Sequence, residues 1–160
     1  MKNLLLIALS LIVLDCSAQL SHNKKNKSNP QIDHQVDSLK KSFMQEGFLL
    51  LKETRINMQS ENELPVVMPL NEGEWYQIVY VGEPSSKAHE VSMFDYLEKE
   101  VYHKKSVDNT PGNIISYDFQ PNNTEWHMIK PLQVNQEKKE CMGYIMLLKK
   151  VKGSEPLASL

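Results

Sequence analysis

The chain has 160 residues, a formal net charge of −2 and 41% hydrophobic residues, which is the size and balance of one ordinary globular domain. A charge this close to neutral gives no electrostatic footprint for nucleic acid or for an anionic membrane surface. No apolar run reaches the roughly 18 residues that a membrane-spanning helix needs. The sequence therefore predicts no nucleic-acid partner and no membrane span.

Residues 1–18 have the order of a secretory signal peptide. A positive charge at Lys2 precedes an apolar run from Leu4 to Leu14, and small residues follow it. We predict cleavage after Ala18 and a periplasmic or extracellular location. Cys16 leaves an alternative open, in which this cysteine carries a lipid anchor. Asp15 argues against the anchor, because a small residue usually precedes a lipidated cysteine.

Residues 19–30 are polar and rich in lysine, which predicts a disordered tether before the domain. Asn29 and Pro30 then have the order of a helix N-cap and a first helical residue. Apolar residues recur with helical spacing from Ile32 to Phe43, and Gly47 is a typical helix stop. We predict one amphipathic helix over 31–46, within a single domain over 31–152. Residues 153–160 are predicted to be a frayed tail.

The rest of the domain is predicted to be β. Alternating or continuous apolar runs, separated by turn residues, predict about eight strands. They cover 48–58, 64–70, 75–82, 89–96, 100–105, 114–119, 125–134 and 141–151. Two prolines in the second run predict an edge strand. A helix over 94–103 stays open as an alternative to a hairpin over 94–105, because Leu, Glu and Lys favour helix and no glycine marks a turn.

Short connections, and strands spaced about ten residues apart, favour a mostly β chain. The predicted fold is an antiparallel β-sandwich, jelly-roll-like, with one N-terminal amphipathic helix.

The order of the motifs resembles the bacterial pre-peptidase C-terminal-like β-sandwich domains. The likeness runs from "LPVVMPLNEGEWYQIVYVG" through "NIISYDFQPNNTEWHMIKPLQV" to "CMGYIMLL", over about 64–148. The chain departs from that pattern at "NNTEW", where such domains have a serine-glycine pair, and at "FDYLEKE", which lacks an Asp-Gly turn. The resemblance implies a sandwich with an accessory or targeting role beside larger secreted partners. It implies no catalytic residues. The export signal also resembles those of Bacteroidetes-type secreted proteins.

Residues that carry chemistry are scattered along the sequence. Cys141 is the one cysteine after the predicted signal peptide, and its apolar surroundings predict a small buried hydrophobe. His89, Asp95 and His103 would bind a metal only if the fold gathered them. Nucleophile and phosphate-binding motifs are absent from the sequence. We therefore predict no enzyme, no cofactor and no metal.

The aromatic residues allow two interpretations. Tyr76 and Tyr80 alternate with Ile78 as core residues do, and Trp126 is predicted to lie in the core or at its rim, although the facing of its strand stays open. Trp75 and Trp126 are the candidate ligand-binding residues if a face of the sandwich displays them. The first functional hypothesis is an exported, non-enzymatic protein that binds another envelope protein. The second is a small carbohydrate-binding module that binds a glycan.

Overall fold

The structure, a computed structural model, describes residues 29–107, 112–137 and 140–151. These residues form one helix and eight strands: α1 (Pro30–Gln45), β1 (Phe48–Gln59), β2 (Val66–Leu70), β3 (Tyr76–Val81), β4 (Ala88–Phe94), β5 (Glu100–Val107), β6 (Ile114–Phe119), β7 (Glu125–Val134) and β8 (Glu140–Lys150). The strands make two antiparallel sheets of four. Sheet 1 has the order β1-β8-β3-β6, and sheet 2 has the order β2-β7-β4-β5. The predicted antiparallel β-sandwich with one N-terminal helix is confirmed.

The strand order is that of a jelly roll, because β1 pairs with β8, β2 with β7, β3 with β6 and β4 with β5. Val66 pairs with Ile129, and Tyr76 pairs with Phe119. The pairing therefore stays in step across the two sheets, because Tyr76 follows Val66 by ten residues and Phe119 precedes Ile129 by ten residues. The chain thus behaves as one long antiparallel ribbon, centred on the β4–β5 turn and wound into two sheets.

Helix α1 begins where the sequence predicts. The Asn29 side chain accepts hydrogen bonds from the backbone N–H groups of Gln31 and Ile32, and Pro30 occupies the first turn. The helix stops at Gly47, whose φ of 83° is a conformation that favours glycine. Ile32 and Val36 pack on the outer face of sheet 1, against Val79, Val81, Met142, Tyr144, Met146 and Leu148.

The main core lies between the two sheets. Sheet 1 contributes Tyr76, Ile78 and Tyr80, and sheet 2 contributes Met68, Met93 and Ile129 among others. The predicted core placement of Tyr76 and Tyr80 is confirmed. Since α1 covers the outer face of sheet 1, β3 is buried on both faces. Sheet 2 packs on the core with one face, and no helix or strand of the described residues covers its other face.

The β4–β5 connection settles the alternative at 94–105. Phe94 and Glu100 are paired across a hairpin, and the helix over 94–103 is wrong. The Asp95 carboxylate accepts hydrogen bonds from the backbone N–H groups of Leu97 and Lys99, both at 2.9 Å. Glu98 takes a φ of 61° without glycine. An aspartate-made turn therefore replaces the Asp-Gly signal that the sequence lacks.

Several predictions lie outside the described residues. They are the signal peptide over 1–18, the lipid anchor at Cys16, most of the tether over 19–30 and the tail over 153–160. The edge position of β2 is confirmed. No helix among the described residues has the length and apolarity that crossing a membrane requires.

Candidate functional site

The open outer face of sheet 2 is the candidate functional site. Strand alternation sends every second side chain of β7 to this face and the others to the core. His127, Ile129 and Gln133 are buried, whereas Trp126 is 57% exposed. Trp126 pairs with Pro69 across β2, and Met128 lies between Val67 and Phe94. We call the outward side chains Val67, Phe94, Trp126, Met128 and Lys130 the Trp126 face.

The Trp126 face is held in place by its own contacts. The Lys130 ammonium lies 4.6 Å from the centre of the Phe94 ring, which is a cation–π contact. The same ammonium lies 3.6 Å from a carboxylate oxygen of Glu63. Val67 is 47% exposed, and Lys52 donates a hydrogen bond to its carbonyl oxygen at 3.4 Å. The face is therefore an apolar patch with cations at its margin.

A charged cluster borders the Trp126 face on the β5 side. Glu90 accepts a hydrogen bond from His103 at 2.9 Å and pairs with Lys105 at 3.1 Å. Burial acts to raise the pKa of Glu90, but the hydrogen bonds from Lys105 and His103 outweigh it and hold that pKa below its usual value. Glu90 is thus ionised and already paired, so this border is a polar rim.

The β4–β5 turn extends the apolar surface. Phe94 lies opposite Met128, so the turn that follows it stands at the end of sheet 2 where Trp126 lies. The turn exposes 70% of Tyr96 and 80% of Leu97. Two backbone hydrogen bonds to Asp95 hold this turn in one shape. Tyr96 and Leu97 therefore add two exposed apolar side chains at the end of sheet 2 where Trp126 lies.

Trp75 does not join this surface. It is 46% exposed, but it immediately precedes β3 of sheet 1. Its carbonyl oxygen accepts a hydrogen bond from the Lys150 N–H at 2.8 Å, which continues the β3–β8 ladder. The two tryptophans predicted as ligand-binding residues therefore stand on different sheets and form no common platform. Trp126 also lies outside the core, so its predicted core or core-rim position is wrong.

A second polar cluster fills one end of the sandwich. Gln133 is fully buried; its Oε1 accepts from the Glu83 N–H at 2.8 Å, and its Nε2 donates to the Met142 carbonyl at 3.0 Å. His89 donates from Nε2 to the Glu83 carbonyl at 2.9 Å. The cluster borders a cavity of about 460 Å³ lined by Glu83, Ser85, Asn135, Gln136, Glu137 and Glu140. The hydrogen bonds of this polar cluster hold the ends of β3, β4, β7 and β8 together.

Cys141 is buried beside this cluster, as predicted. Burial foremost, and the nearby Glu83 carboxylate, raise the pKa of its thiol above the usual value. Asn135 Nδ2 donates to its sulfur at 3.1 Å. A thiol held in its protonated form is a poor nucleophile, so the geometry gives Cys141 a packing role.

The fold separates the three residues considered for a metal. His89 lies in the polar cluster, Asp95 builds the β4–β5 turn, and His103 pairs with Glu90. Within residues 29–107, 112–137 and 140–151, no three His, Cys, Asp or Glu side chains lie close enough together to hold a metal ion.

Comparison with protein-family models gives no match. Comparison with the curated proteins gives none either. Among solved structures, the chain is similar to a Bacillus endospore appendage protein that forms disulfide-linked pili, with a TM-score of 0.42, 8% identity, and coverage of 65% of this chain and 88% of that one. It is also similar to a CBM4 carbohydrate-binding module, with a TM-score of 0.35, 9% identity and coverage of 66% and 96%. A third similar structure comes from infectious bursal disease virus, with a TM-score of 0.34, 7% identity and coverage of 68% and 34%. These likenesses concern the β-sandwich fold alone.

Sequence reasoning missed most of the Trp126 face. Val67, Phe94 and Met128 carry no signal by themselves, because apolar residues at these positions are equally typical of a core. Leu97 lies in a segment with helical propensity, which hid the turn that exposes it. Pro65 and Pro69 predicted that β2 is an edge strand, but this concerns the open edge of the sheet and gave no signal for its exposed face.

Proposed function

We propose that the chain is an exported, non-enzymatic binding protein of the cell envelope, and that a partner protein docks on the Trp126 face. The observation that carries this proposal is the difference between the two sheets. Helix α1 covers the outer face of sheet 1, whereas the outer face of sheet 2 exposes 57% of Trp126 and 47% of Val67. A contiguous apolar patch with a charged rim is typical of a surface that another molecule buries.

The composition of the face favours a protein partner. Two aliphatic side chains, Val67 and Met128, share this face with Trp126, and the following turn exposes Leu97 at the same end of sheet 2. Exposed tryptophans inside such patches are frequent hot spots of protein interfaces. The Glu90 rim supplies charge for orientation and specificity.

A small glycan-binding module is the second candidate function, and the exposure of the Trp126 indole favours it. An exposed indole ring presents a flat apolar surface to the apolar side of a sugar ring. An extended glycan usually needs a row of such rings, and Trp75 stands on the other sheet. The second candidate therefore concerns a short glycan that stacks on Trp126 alone.

The test compares Trp126→Ala with Trp75→Ala, because both residues are about half exposed and they lie on different sheets. Both variants, checked for folding by circular dichroism, are assayed against immobilised envelope proteins and a panel of purified glycans. We expect Trp126→Ala to weaken partner binding by about tenfold or more, and Trp75→Ala to leave it unchanged. Loss of glycan binding only in Trp126→Ala would select the second candidate. Equal binding by both variants and the unchanged chain would rule out the Trp126 face.

A further inference from the structure

The described residues form two sheets with four edge strands, of which β2 is strongly protected against pairing with another chain. Leu64 N–H donates a hydrogen bond to the Pro131 carbonyl. By alternation, the backbone polar groups of Pro65, Val67 and Pro69 therefore face away from β7. The two prolines carry no N–H, and the Val67 carbonyl already accepts a hydrogen bond from Lys52. The open side of β2 therefore offers almost nothing to an added strand.

Strands β1 and β5 are protected in other ways. The β1–β8 register shifts between Leu50 and Lys52, and the exposed charges of Lys52 and Glu53 follow that irregularity. Strand β5 exposes three consecutive basic side chains, from His103 to Lys105. Bulges and edge charges are common devices that keep an edge strand from pairing.

Strand β6 lacks these devices. It pairs with β3 without a register shift, and it contains no proline, lysine or arginine. Gly82 N–H bonds to the Asn113 carbonyl, so by alternation Ile114, Ser116 and Asp118 point their N–H and C=O groups away from β3. No strand in the described part of the chain pairs with that side. The open edge of β6 is thus a backbone ladder with its partner positions free.

A groove runs beside this edge on the helix side. Its volume is about 340 Å³, and Leu39 of α1 and Ile114 of β6 give it an apolar lining, with His34, Gln35, Ser38 and Ser42 at its margin. Gln35 and Asn113 exchange side-chain hydrogen bonds of 3.0 and 2.8 Å, which fix α1 against the start of β6. A strand added to β6 would place the side chain opposite Ile114 in this groove.

The far end of the edge is acidic. Asp118 is exposed, and the Gln77 side-chain amide lies against its carboxylate. No lysine or arginine of the described residues pairs with Asp118. A second copy of the chain fits this edge poorly, because an antiparallel pair centred on Ser116 sets Ile114 against Asp118 of the other copy.

We propose that β6 is a docking edge for an extended segment of a partner protein, which adds to sheet 1 as a fifth strand. The segment places an apolar side chain in the groove beside Ile114 and, four residues away on the same face, a lysine or arginine beside Asp118. Main-chain hydrogen bonds give the affinity, and these two side chains give the specificity. This surface is separate from the Trp126 face and does not depend on it.

The test fuses a probe strand to the C-terminus of the full chain through a Gly-Ser linker. Strand β8 ends beside Tyr76, which pairs with Phe119, so the fused strand arrives at the Asp118 end of β6. The probe is made of Ser and Thr, with one Lys followed four residues later by one Val, which matches antiparallel addition. Fusion raises its effective concentration, so a weak intrinsic affinity suffices.

Amide hydrogen exchange on the monomer fraction is the readout. We expect exchange at Ile114, Ser116 and Asp118 to slow by about tenfold or more, while Ile115 and Tyr117, already bonded to β3, stay unchanged. A probe with Glu in place of Lys should lose the effect, and Asp118→Lys should restore it for that probe. Unchanged exchange in the Lys probe, or protection that ignores the charge exchange, would overturn the proposal.

Ser116→Pro supplies the edge control, because it removes an N–H that β3 does not use. We expect this variant to fold and to lose the added protection against exchange. If it does not fold, the comparison of the Lys and Glu probes on the unchanged chain and on Asp118→Lys tests the proposal. Sedimentation of the unfused chain is the last arm. A dimer that Ser116→Pro abolishes would show that a second copy of the chain, and not a partner protein, pairs with β6. This result would refute the proposal.

Discussion

Trp126 and His127 are neighbours on β7 whose side chains lie on opposite faces of sheet 2. The tryptophan is 57% exposed, and the histidine is 2% exposed and contacts Phe119 edge-on at 5.2 Å between ring centres. A shift of one residue in the pairing of β7 would exchange them, burying the indole and exposing Ile129 with His127. The register of β7 therefore decides whether the Trp126 face exists.

The two faces of β7 should differ sharply in their contribution to stability. Trp126→Ala removes an exposed side chain and should change the free energy of unfolding by less than about 1 kcal/mol. Ile129→Ala removes a fully buried side chain and should cost about 3 kcal/mol. Urea denaturation measures both. A Trp126→Ala variant as destabilised as Ile129→Ala would place the indole in the core.

Gly82 leaves room for the side chains of His89 and Tyr80. A Cβ at this position would lie 2.4 Å from His89 Cδ2 and 2.9 Å from the Tyr80 hydroxyl oxygen. Gly82→Ala should therefore cost about 2 kcal/mol in thermal or urea unfolding. Adding His89→Ala should recover part of that loss, because it removes the nearest clash. Additive costs in the double variant would contradict this contact.

A three-residue network attaches α1 to β1 and β8. Arg55 donates to Asp33 at 2.8 Å and to the Tyr144 hydroxyl at 2.7 Å, and that hydroxyl donates to Asp33 at 2.9 Å. Arg55→Met should lower the free energy of unfolding by about 2 kcal/mol, because partly buried charged partners lose their hydrogen bonds. The control is Lys105→Met on β5, whose more exposed pair with Glu90 should contribute about 0.5 kcal/mol or less. Equal costs would show that the network does not fasten the helix.

Acid should destabilise the fold through His89 and His127. Burial foremost lowers the pKa of both imidazoles, although nearby Glu83, for His89, and Glu125 and Asp95, for His127, act to raise them. The folded chain then binds fewer protons than the unfolded chain, so stability is complete above the unfolded pKa of about 6.5 and falls as the pH drops below it. Each histidine contributes a slope of at most about 1.4 kcal/mol per pH unit.

His127→Phe should flatten that dependence, because the phenyl ring keeps the contact with Phe119 and takes up no proton. Urea unfolding between pH 7.5 and pH 5 is the measurement, with Met44→Ala, an exposed apolar position on α1, as the control. The control should keep the slope of the unchanged chain. If the free energy of unfolding of His127→Phe depends on pH as steeply as that of the unchanged chain, the His127 imidazole takes up no proton when the chain unfolds.

Local signals made much of the fold predictable. Asn29 with Pro30 starts the helix, Gly47 stops it, and both act through backbone geometry within a few residues. The edge position of β2 follows from its prolines. They carry no N–H, so β2 cannot donate a full set of hydrogen bonds to strands on both of its sides. The β4–β5 hairpin was ambiguous because Asp95 builds the turn with its side chain, in a segment whose composition equally suits a helix.

The candidate site was harder to predict. The outward positions of β7 hold Trp126, Met128 and Lys130, and the inward positions hold His127, Ile129 and Gln133. Both sets mix polar and apolar residues, so alternation alone assigns no core face. Pairing with β2 and β4 makes that assignment, and it involves residues 34 to 63 positions away along the chain. The separation of Trp75 from Trp126 likewise depends on the division of the ribbon into two sheets.

The central claim, that the Trp126 face is the binding surface, is tested most directly by photo-cross-linking in the native envelope. A benzophenone amino acid replaces Val67 on that face or Met44 on α1, which are both exposed apolar positions. We predict one discrete cross-linked product from position 67, none from position 44, and loss of the product when Trp126→Ala is added. Equal products from both positions, or a product from position 67 that persists with Trp126→Ala, would contradict the claim.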